Sequence, residues 1–187
     1  EYRYFEPAKK HSTVMFKGKR MALTICEDLW NVGNNNPLYT ICPLDVMMPE
    51  EPDLIINVSA SPFDYNHAAE RIEVIRANVE RYRIPMFYSN VCGAQTEIIF
   101  DGGSIVMSPD GSVYDELPYF KEEIRYYSLE DVVKGGYQRE QPKDKITLVH
   151  DALLMGLQDY FGKLGLKKAI LGLSGGIDSA VTAVMAT

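Results

Sequence analysis

The stretch Asp53-Leu-Ile-Ile-Asn-Val58 is a short apolar run between Pro52 and Ser59, and it predicts a buried strand. After it, apolar residues recur at steps of three and four, so they share one face of a predicted helix. That face consists of Ala68, Ile72, Ile75, Val79 and Tyr82. Pro85 ends the helix, because a residue before proline avoids the helical region. The run 86–90 predicts a second strand. Strand, helix and strand in this order predict a βαβ unit with parallel strands, and hence an α/β fold.

The segments around this unit predict further strands. Residues 14–16 and 21–25 flank the turn residues 17–20 and indicate a hairpin. Glycine-containing turns separate three short strands expected after the βαβ unit. These strands lie around 98–100, 104–107 and 112–114. The run 120–129 predicts one more strand.

The C-terminal part of the chain predicts the start of a second domain. Residues 135–145 are polar, with two glycines and a proline, and indicate a linker between a first domain at 1–134 and a second at 146–187. The second domain begins with an amphipathic helix whose apolar face would contain Leu153, Leu157, Tyr160 and Leu164. The run 169–173 then predicts a buried strand that leads into a glycine-rich loop.

Composition excludes several classes of function. The 187 residues carry a formal net charge of −7, which argues against a nucleic-acid-binding surface and a polybasic membrane patch. No apolar run approaches the roughly 18 residues that a membrane-spanning helix needs, and no signal peptide is visible. The three cysteines are an odd number without metal-ligand spacing. A reduced, cytoplasmic compartment is therefore expected.

The loop Ser174-Gly-Gly-Ile-Asp-Ser179 lies between a predicted strand and a predicted helix, and this context favours phosphate binding. Gly175 and Gly176 let the backbone approach a ligand, and their N–H groups together with the helix N-terminus form a positive site for phosphate oxygens. The two serines add hydroxyl donors. Asp178 beside a polyphosphate implies a bridging cation such as Mg²⁺. The alternative is an ordinary glycine-rich turn.

This loop lacks the Gly-Lys-Ser/Thr ending of the Walker type. It resembles the loop of the ATP pyrophosphatases, which cleave ATP between the α and β phosphates to adenylate a substrate. The residues expected to contact ATP are Gly172, Leu173, Ser174, Gly175, Gly176, Ile177, Asp178 and Ser179.

Cys26 follows an apolar strand, a position where α/β proteins often place ligands and nucleophiles. A deprotonated cysteine is a strong nucleophile near neutral pH. A cysteine by itself is more often a small core residue, and the carboxylates of Glu27 and Asp28 would disfavour a thiolate unless a cation compensates.

Four segments resemble the nitrilase, or carbon–nitrogen hydrolase, superfamily. The first, Ile25-Cys-Glu-Asp-Leu-Trp30, is similar to the nucleophile segment. The others are Asn57-Val-Ser-Ala-Ser-Pro-Phe63, Asn90-Val-Cys-Gly-Ala-Gln-Thr-Glu97 and Phe100-Asp-Gly-Gly-Ser104. A nitrilase-like first half followed by the loop Leu171-Gly-Leu-Ser-Gly-Gly-Ile-Asp-Ser179 resembles the arrangement of the glutamine-dependent NAD⁺ synthetases. The resemblance covers nearly the whole chain.

The resemblance implies a glutaminase half and a synthetase half. Cys26 would attack the glutamine carboxamide to form a thioester, and the backbone N–H of Glu27 would help to hold the oxyanion. Ser61 matches a position that contacts glutamine. His67 stands where the family often has lysine, so it is a candidate glutamine contact or a surface helix residue. The synthetase half would adenylate deamido-NAD⁺ with MgATP, and ammonia would displace AMP to form NAD⁺.

The resemblance also implies parts that the 187 residues lack. The family's catalytic glutamate and lysine would precede Glu1, and the synthetase half would continue beyond Thr187. The sequence is thus expected to be a fragment that is inactive alone as a glutaminase. The expected fold is the back part of a four-layer α-β-β-α sandwich followed by the start of a doubly wound nucleotide-binding domain. The resemblance also implies that the protein assembles as a homo-oligomer.

Two other functions are compatible with parts of the sequence. A different ligase could share the phosphate loop, such as an asparagine-, GMP- or tRNA-modifying enzyme, although those use other glutaminase folds or none. A tRNA partner would also require a basic face. Alternatively, the chain could be a non-catalytic module that binds a partner through its hydrolase-like surface.

Overall fold

The computed structural model of the protein describes residues 4–6, 8–34, 39–136 and 144–187. Its strands are β1 (Val14–Phe16), β2 (Lys19–Ile25), β3 (Leu54–Ser59), β4 (Met86–Asn90), β5 (Cys92–Gln95), β6 (Ile98–Asp101), β7 (Ile105–Met107) and β8 (Val113–Glu116). Its α-helices are α1 (Pro43–Met47), α2 (His67–Tyr82), α3 (Leu129–Lys134), α4 (Lys145–Leu164) and α5 (Ile177–Met185). Short 3₁₀ turns lie at Cys26–Leu29, Val32–Asn34 and Met48–Glu50. None of the helices within these ranges combines the length and the apolar character that crossing a bilayer requires.

A mixed six-stranded sheet organises the first part of the chain, in the order β1-β2-β3-β4-β7-β8. The predicted βαβ unit is confirmed, since β3 and β4 are parallel and α2 connects them. The hairpin of β1 and β2 is confirmed as well. Because β2 also runs parallel to β3, the carboxyl ends of β2, β3 and β4 meet at one edge of the sheet. The α/β class expected from the sequence is confirmed.

Helix α2 covers one face of this sheet. Its apolar stripe buries Ile72, Ile75 and Val79 in a core that also contains Ile55 and Met86. Burying each such side chain stabilises the fold by about 1.5–3 kcal/mol. The opposite face of the sheet carries exposed apolar residues, and among these are Leu23, Ile25 and Val58.

Helix α2 ends before Pro85, as the sequence predicts, but another residue terminates it. Arg83 adopts a left-handed conformation with φ of 59° and donates its backbone N–H to the carbonyl of Val79. Pro85 follows two residues later, where the chain has already left the helix.

Strands β5 and β6 form a separate antiparallel ribbon that contacts α4. The sequence predicted α4 but assigned it the wrong buried face. The buried residues are Leu148 and Ala152, whereas Leu153, Tyr160 and Leu164 are exposed. The reason is the close approach to the ribbon: a side chain at Gly156 would come within 3.3 Å of the Ile99 side chain, so the helix presents its small residues there.

Two predicted strands are absent from the described residues. The segment 120–128 has no strand, because no neighbouring strand pairs with it there. Exposed and half-buried side chains nevertheless alternate along it. It is held by side chains instead: Arg125 and Tyr127 both donate hydrogen bonds to Asp115 on β8. Helix α3, which the sequence analysis missed, starts just after this segment with Ser128 as its N-cap.

The segment 169–173 is likewise not a strand in the structure. Ile170 and Leu173 are exposed, so the prediction of a buried strand at this position is wrong for the chain described. A strand requires a hydrogen-bonded neighbour, and no strand of the described ranges lies beside this one. The predicted linker at 135–145 lies outside the described residues except for its first two and last two positions.

Candidate functional site

Cys26 lies at the carboxyl end of β2, where the backbone turns sharply. Its φ of 49° places it in the left-handed region, which few residues other than glycine adopt. The 3₁₀ turn Cys26–Leu29 starts at this residue, and the side chain is half-buried. Strained backbone at a strand end, with a reactive side chain on it, is a recurring feature of functional sites.

Side chains on both sides hold this turn in place. The Asp28 carboxylate accepts the backbone N–H of Ile25 at 2.8 Å. The Glu27 carboxylate accepts the hydroxyl of Tyr39 at 2.7 Å. Both carboxylates that follow Cys26 are therefore engaged by hydrogen-bond donors. The backbone N–H of Glu27 lies in the first turn of a helix, where N–H groups have no partner within the helix.

A buried asparagine connects the cysteine turn to the neighbouring strand. Asn57 on β3 is fully buried, and its amide nitrogen donates to the Thr24 hydroxyl at 2.9 Å and to the Cys26 carbonyl at 3.4 Å. Its amide oxygen accepts the Ser59 hydroxyl at 2.7 Å. This arrangement fixes the end of β3 against the turn that carries Cys26.

Ser61 lies just beyond the end of β3, and the structure brings it to the same sheet edge as Cys26. The side chain is buried, and the backbone N–H donates to the amide oxygen of Asn90, the last residue of β4, at 2.9 Å. Two residues on, the N–H of Phe63 donates to the carbonyl of Ile99 at 2.7 Å.

His67 is the first residue of α2 and lies close to the cysteine segment. Its ring meets Trp30, four residues after Cys26, edge-on with centroids 5.9 Å apart. Its Nε2 atom lies 4.0 Å from a carboxylate oxygen of Glu70. Cys26 follows β2, Ser61 lies just beyond β3, and His67 begins α2. The three residues expected at the glutamine site thus lie at one end of the sheet.

The burial of several polar residues behind this edge was not predicted from the sequence. Besides Asn57, they are Asn90, Asp101 and Arg71. Arg71 donates two hydrogen bonds to Asp101, at 3.0 and 2.7 Å. The sequence contained one signal of them. Asn57 and Asn90 are polar residues within two otherwise apolar runs that were predicted as adjacent parallel strands.

The predicted phosphate loop precedes α5 and is open to solvent. Gly175 has φ of 83°, and a side chain at either Gly172 or Gly175 would meet no atom within 4 Å. Gly176 is the N-cap of α5. The N–H groups of the first helical turn are therefore available to an anion.

Two serine hydroxyls form a hydrogen bond across the loop. Ser174 Oγ and Ser179 Oγ lie 3.1 Å apart. Ser179 also donates to the carbonyl of Gly176 at 3.0 Å, and the N–H of Gly176 points to Ser174 Oγ at 3.4 Å. The remaining predicted contacts, Leu173, Ile177 and Asp178, are exposed.

Asp178 is the carboxylate of the predicted phosphate loop that could hold a cation. It lies in the first turn of α5. Within the residues that the structure describes, no group of three or more His, Cys, Asp or Glu side chains could hold a metal ion. A single carboxylate suits Mg²⁺, which keeps several waters and takes further ligands from substrate phosphates.

Comparison with known proteins supports both halves of this description. The NAD synthase family model matches residues 149–187. The chain is 34% identical over 193 residues to the glutamine-dependent NAD(+) synthetase of Synechocystis sp., a match that covers 100% of this chain and 34% of the relative. The enzyme of the same name from Acinetobacter baylyi is 34% identical over 189 residues, with 100% of this chain and 33% of the relative covered. The chain thus spans about a third of the length of these curated relatives.

Solved structures agree with the sequence comparison. A glutamine-dependent NAD⁺ synthetase from Acinetobacter baumannii, determined in complex with ADP, superposes with a TM-score of 0.84 at 26% identity over 99% of this chain and 34% of that one. A carbon–nitrogen hydrolase from Helicobacter pylori gives a TM-score of 0.54 at 21% identity over 66% of this chain and 44% of that one, which shows a shared fold. The resemblance to glutamine-dependent NAD⁺ synthetases expected from the sequence is confirmed, and the likeness to the carbon–nitrogen hydrolase is one of fold.

Proposed function

We propose, from the premise that the chain is related along its whole length to the glutamine-dependent NAD⁺ synthetases, that it takes part in the same reaction. In this reaction glutamine is hydrolysed at Cys26, and the ammonia amidates deamido-NAD⁺ that ATP has activated. One observation carries the proposal. A cysteine in a strained turn shares a sheet edge with Ser61 and His67, and an open glycine loop precedes a helix further along the same chain.

The cysteine would act as a nucleophile. The thiolate sulfur of Cys26 attacks the carboxamide carbon of glutamine, and the N–H of Glu27 donates to the oxyanion. Collapse of the tetrahedral species forms a thioester and releases ammonia, because the leaving nitrogen takes up the proton that the Cys26 thiol has lost. Water then cleaves the thioester to give glutamate and free Cys26.

Ser61 and His67 would bind the substrate beside the nucleophile. The Ser61 hydroxyl can donate to or accept from the polar groups of glutamine. His67 lies at the N-terminal end of α2, where its ring adjoins the Trp30 ring. Its imidazole ring can donate a hydrogen bond to a carboxylate oxygen of glutamine.

The phosphate loop would bind ATP. N–H groups from Gly175 onward and the hydroxyls of Ser174 and Ser179 would surround the phosphates, while Gly172 and Leu173 lead the chain into the loop. Asp178 would hold Mg²⁺, which neutralises phosphate charge when bound. A carboxylate oxygen of deamido-NAD⁺ attacks the α-phosphorus and pyrophosphate leaves. Ammonia then displaces AMP to form NAD⁺.

Further parts of the proposal concern the whole protein. The glutaminase region is placed at 1–134 and the ATP-binding region at 146–187. The protein would act in the cytoplasm on small molecules and assemble as a homo-oligomer. Free ammonia is protonated to unreactive ammonium at neutral pH, so a protected route between the two sites is expected.

The test compares two nitrogen donors in the full-length protein that contains these residues. Cys26→Ala should lower NAD⁺ formation from glutamine by at least about 10³-fold and leave formation from ammonium chloride in place, because ammonia bypasses the thiol. Cys92→Ala is the matched control, since Cys92 is also half-buried. Undiminished glutamine-driven synthesis in Cys26→Ala would refute the proposal. A product other than NAD⁺ would favour another ligase that shares the loop.

A further inference from the structure

The segment that carries Ser61 is attached to the rest of the fold at two points. The Ser61 N–H donates to the Asn90 side chain at 2.9 Å, and the Phe63 N–H donates to the carbonyl of Ile99 on β6 at 2.7 Å. Pro62 between them forms a bridge with Phe100. The position of Ser61 relative to the sheet edge therefore depends on the groups that hold Asn90 and β6.

The Asn90 side chain is fixed by three hydrogen bonds. Its amide oxygen accepts the Ser61 N–H, and its amide nitrogen donates to Asp101 Oδ1 at 3.1 Å and to the Gly102 carbonyl at 2.8 Å. Two acceptors on one side and one donor on the other allow only one orientation of the amide. Asn90 is 8% exposed, so water does not replace these partners readily.

The next partner is a buried ion pair. Asp101 and Arg71 are 1% and 2% exposed, and they form two parallel hydrogen bonds at 3.0 and 2.7 Å. Burial would lower the pKa of Arg71, but the hydrogen bonds and the charge of Asp101 outweigh it and raise that pKa. Arg71 thus keeps its charge at neutral pH. Such a pair contributes little stability compared with apolar residues of the same size, whereas its two-bond geometry fixes orientation well.

Arg71 also connects this network to the start of α2. It lies four residues after His67, and residues four apart lie on the same side of a helix. The ion pair therefore fixes the first turn of α2 and the end of β6 at the same time. Of the expected glutamine contacts, Ser61 is linked to the pair through Asn90, and His67 lies one turn before Arg71 on the same helix.

We propose that Asn90 is a positioning residue for glutamine binding, and that the Asp101–Arg71 pair holds Asn90 in the orientation that places Ser61 beside Cys26. This inference rests on the proposed function of the Cys26 site. Asn90 itself does not touch the reacting atoms. Its loss shifts the substrate contact, so the KM for glutamine changes more than kcat, and the synthetase reaction with ammonia is not involved.

The test measures KM and kcat for glutamine in the full-length protein, with the ammonia-driven rate as the reference in the same sample. Asn90→Ala should raise the KM for glutamine about 10-fold relative to that reference, the effect of one lost buried hydrogen bond. Arg71→Lys keeps the cation but not the two-bond geometry, and it should raise the KM about 3-fold. If Asn90→Ala does not fold, Arg71→Lys carries the same comparison.

The matched control is Asp115→Asn. Asp115 is also buried and bonded to an arginine, Arg125, at 2.8 Å, but it lies on β8, at the end of the sheet order opposite to β1. Its loss should lower stability without changing the KM for glutamine. If Asp115→Asn raises that KM as much as the Asn90 variant does, the network is merely structural and the inference is wrong. An unchanged KM in both Asn90→Ala and Arg71→Lys overturns it too. If the unaltered protein makes NAD⁺ from ammonia but not from glutamine, the proposed function fails first.

Discussion

The two candidate sites of this chain differ in what holds them in shape. At the cysteine site, the hydrogen bonds join residues distant in sequence: Ser61 to Asn90 spans 29 residues, and Arg71 to Asp101 spans 30. In the phosphate loop, the Ser174 and Ser179 hydroxyls are five residues apart. The first site depends on the whole sheet, whereas the second is formed by a short stretch of backbone and the helix after it.

Burial differs in the same way. Asn57, Asn90 and Asp101 are nearly inaccessible, whereas Ser174 and Asp178 of the phosphate loop are exposed. Polar groups that are buried must be paired, and losing one partner is costly. Exposed polar groups of the loop can exchange partners with water. Substitutions behind the cysteine site should therefore affect folding as well as function, while substitutions in the phosphate loop should affect mainly ligand binding.

The largest effect is expected from breaking the buried ion pair. Arg71→Met leaves the Asp101 carboxylate buried without its cation, which should lower the free energy of unfolding by about 3–5 kcal/mol. Urea denaturation followed by circular dichroism measures this. Arg76→Met on the same helix is the control, since Arg76 is partly exposed and bonds Glu73 and the Gly111 carbonyl. It should cost about 1 kcal/mol or less. Equal losses in the two variants would contradict the buried-pair argument.

The difference between the two regions also explains what the sequence could predict. The βαβ unit was recognisable because its signals are local: an apolar run, a helical period ended by Pro85, and a second run. The phosphate loop was recognisable from its own residues. The ion pair of Arg71 with Asp101 was not, because nothing in either segment specifies a partner 30 residues away.

The wrong predictions have related causes. Alternating residues at 120–128 and apolar residues at 169–173 satisfy the local pattern of a strand, but a strand also needs a neighbour, which local patterns do not reveal. Helix α3 was missed although its start was readable, since Ser128 caps it by accepting the N–H of Asp131 three residues later. The apolar face of α4 was misassigned because the helix meets the ribbon at the small residue Gly156, beside Ile99.

An intermediate effect is expected in the phosphate loop. Gly175→Ala adds a side chain at φ of 83°, in space where no atom lies within 4 Å. Backbone strain would shift the N–H groups that are proposed to bind the phosphates, so the KM for ATP should rise about 10-fold, equivalent to about 1.4 kcal/mol. Steady-state kinetics of the ammonia-driven reaction in the full-length protein measures it.

Gly165→Ala is the control for strain alone. Gly165 caps α4 with φ of 67°, and it too has no atom near a would-be side chain. Both variants should lose about 1 kcal/mol of stability, but only the change at Gly175 should weaken ATP binding. An ATP KM that rises equally in the two would mean that Gly175 acts through stability rather than through the ligand.

The smallest effect concerns the contact between the two regions. Two residues of α4 bond to Ala94 on β5. The Asp159 carboxylate accepts the backbone N–H of Ala94 at 2.6 Å, and Lys163 donates to the carbonyl of Ala94. The Ala94 N–H, and then Lys163, hold the pKa of Asp159 below its ordinary value. These bonds attach helix α4, which leads towards the phosphate loop, to the β5–β6 ribbon. The other strand of that ribbon, β6, accepts a hydrogen bond from Phe63 in the segment that carries Ser61.

Asp159→Asn should therefore lower the free energy of unfolding by about 0.5–1 kcal/mol at pH 7, since the contact is partly exposed. Because the folded-state pKa is depressed, the contribution of Asp159 is complete above its unfolded pKa of about 3.9 and is lost as the pH falls through the lower folded value. The difference between the unaltered protein and Asp159→Asn should thus shrink between pH 5 and pH 2 in urea denaturation series. Glu97→Gln removes an exposed carboxylate from the turn of the same ribbon and should leave stability at pH 7 within about 0.5 kcal/mol. A gap between the unaltered protein and Asp159→Asn that stays constant down to pH 2 would show that the charge of Asp159 does not attach α4 to the ribbon.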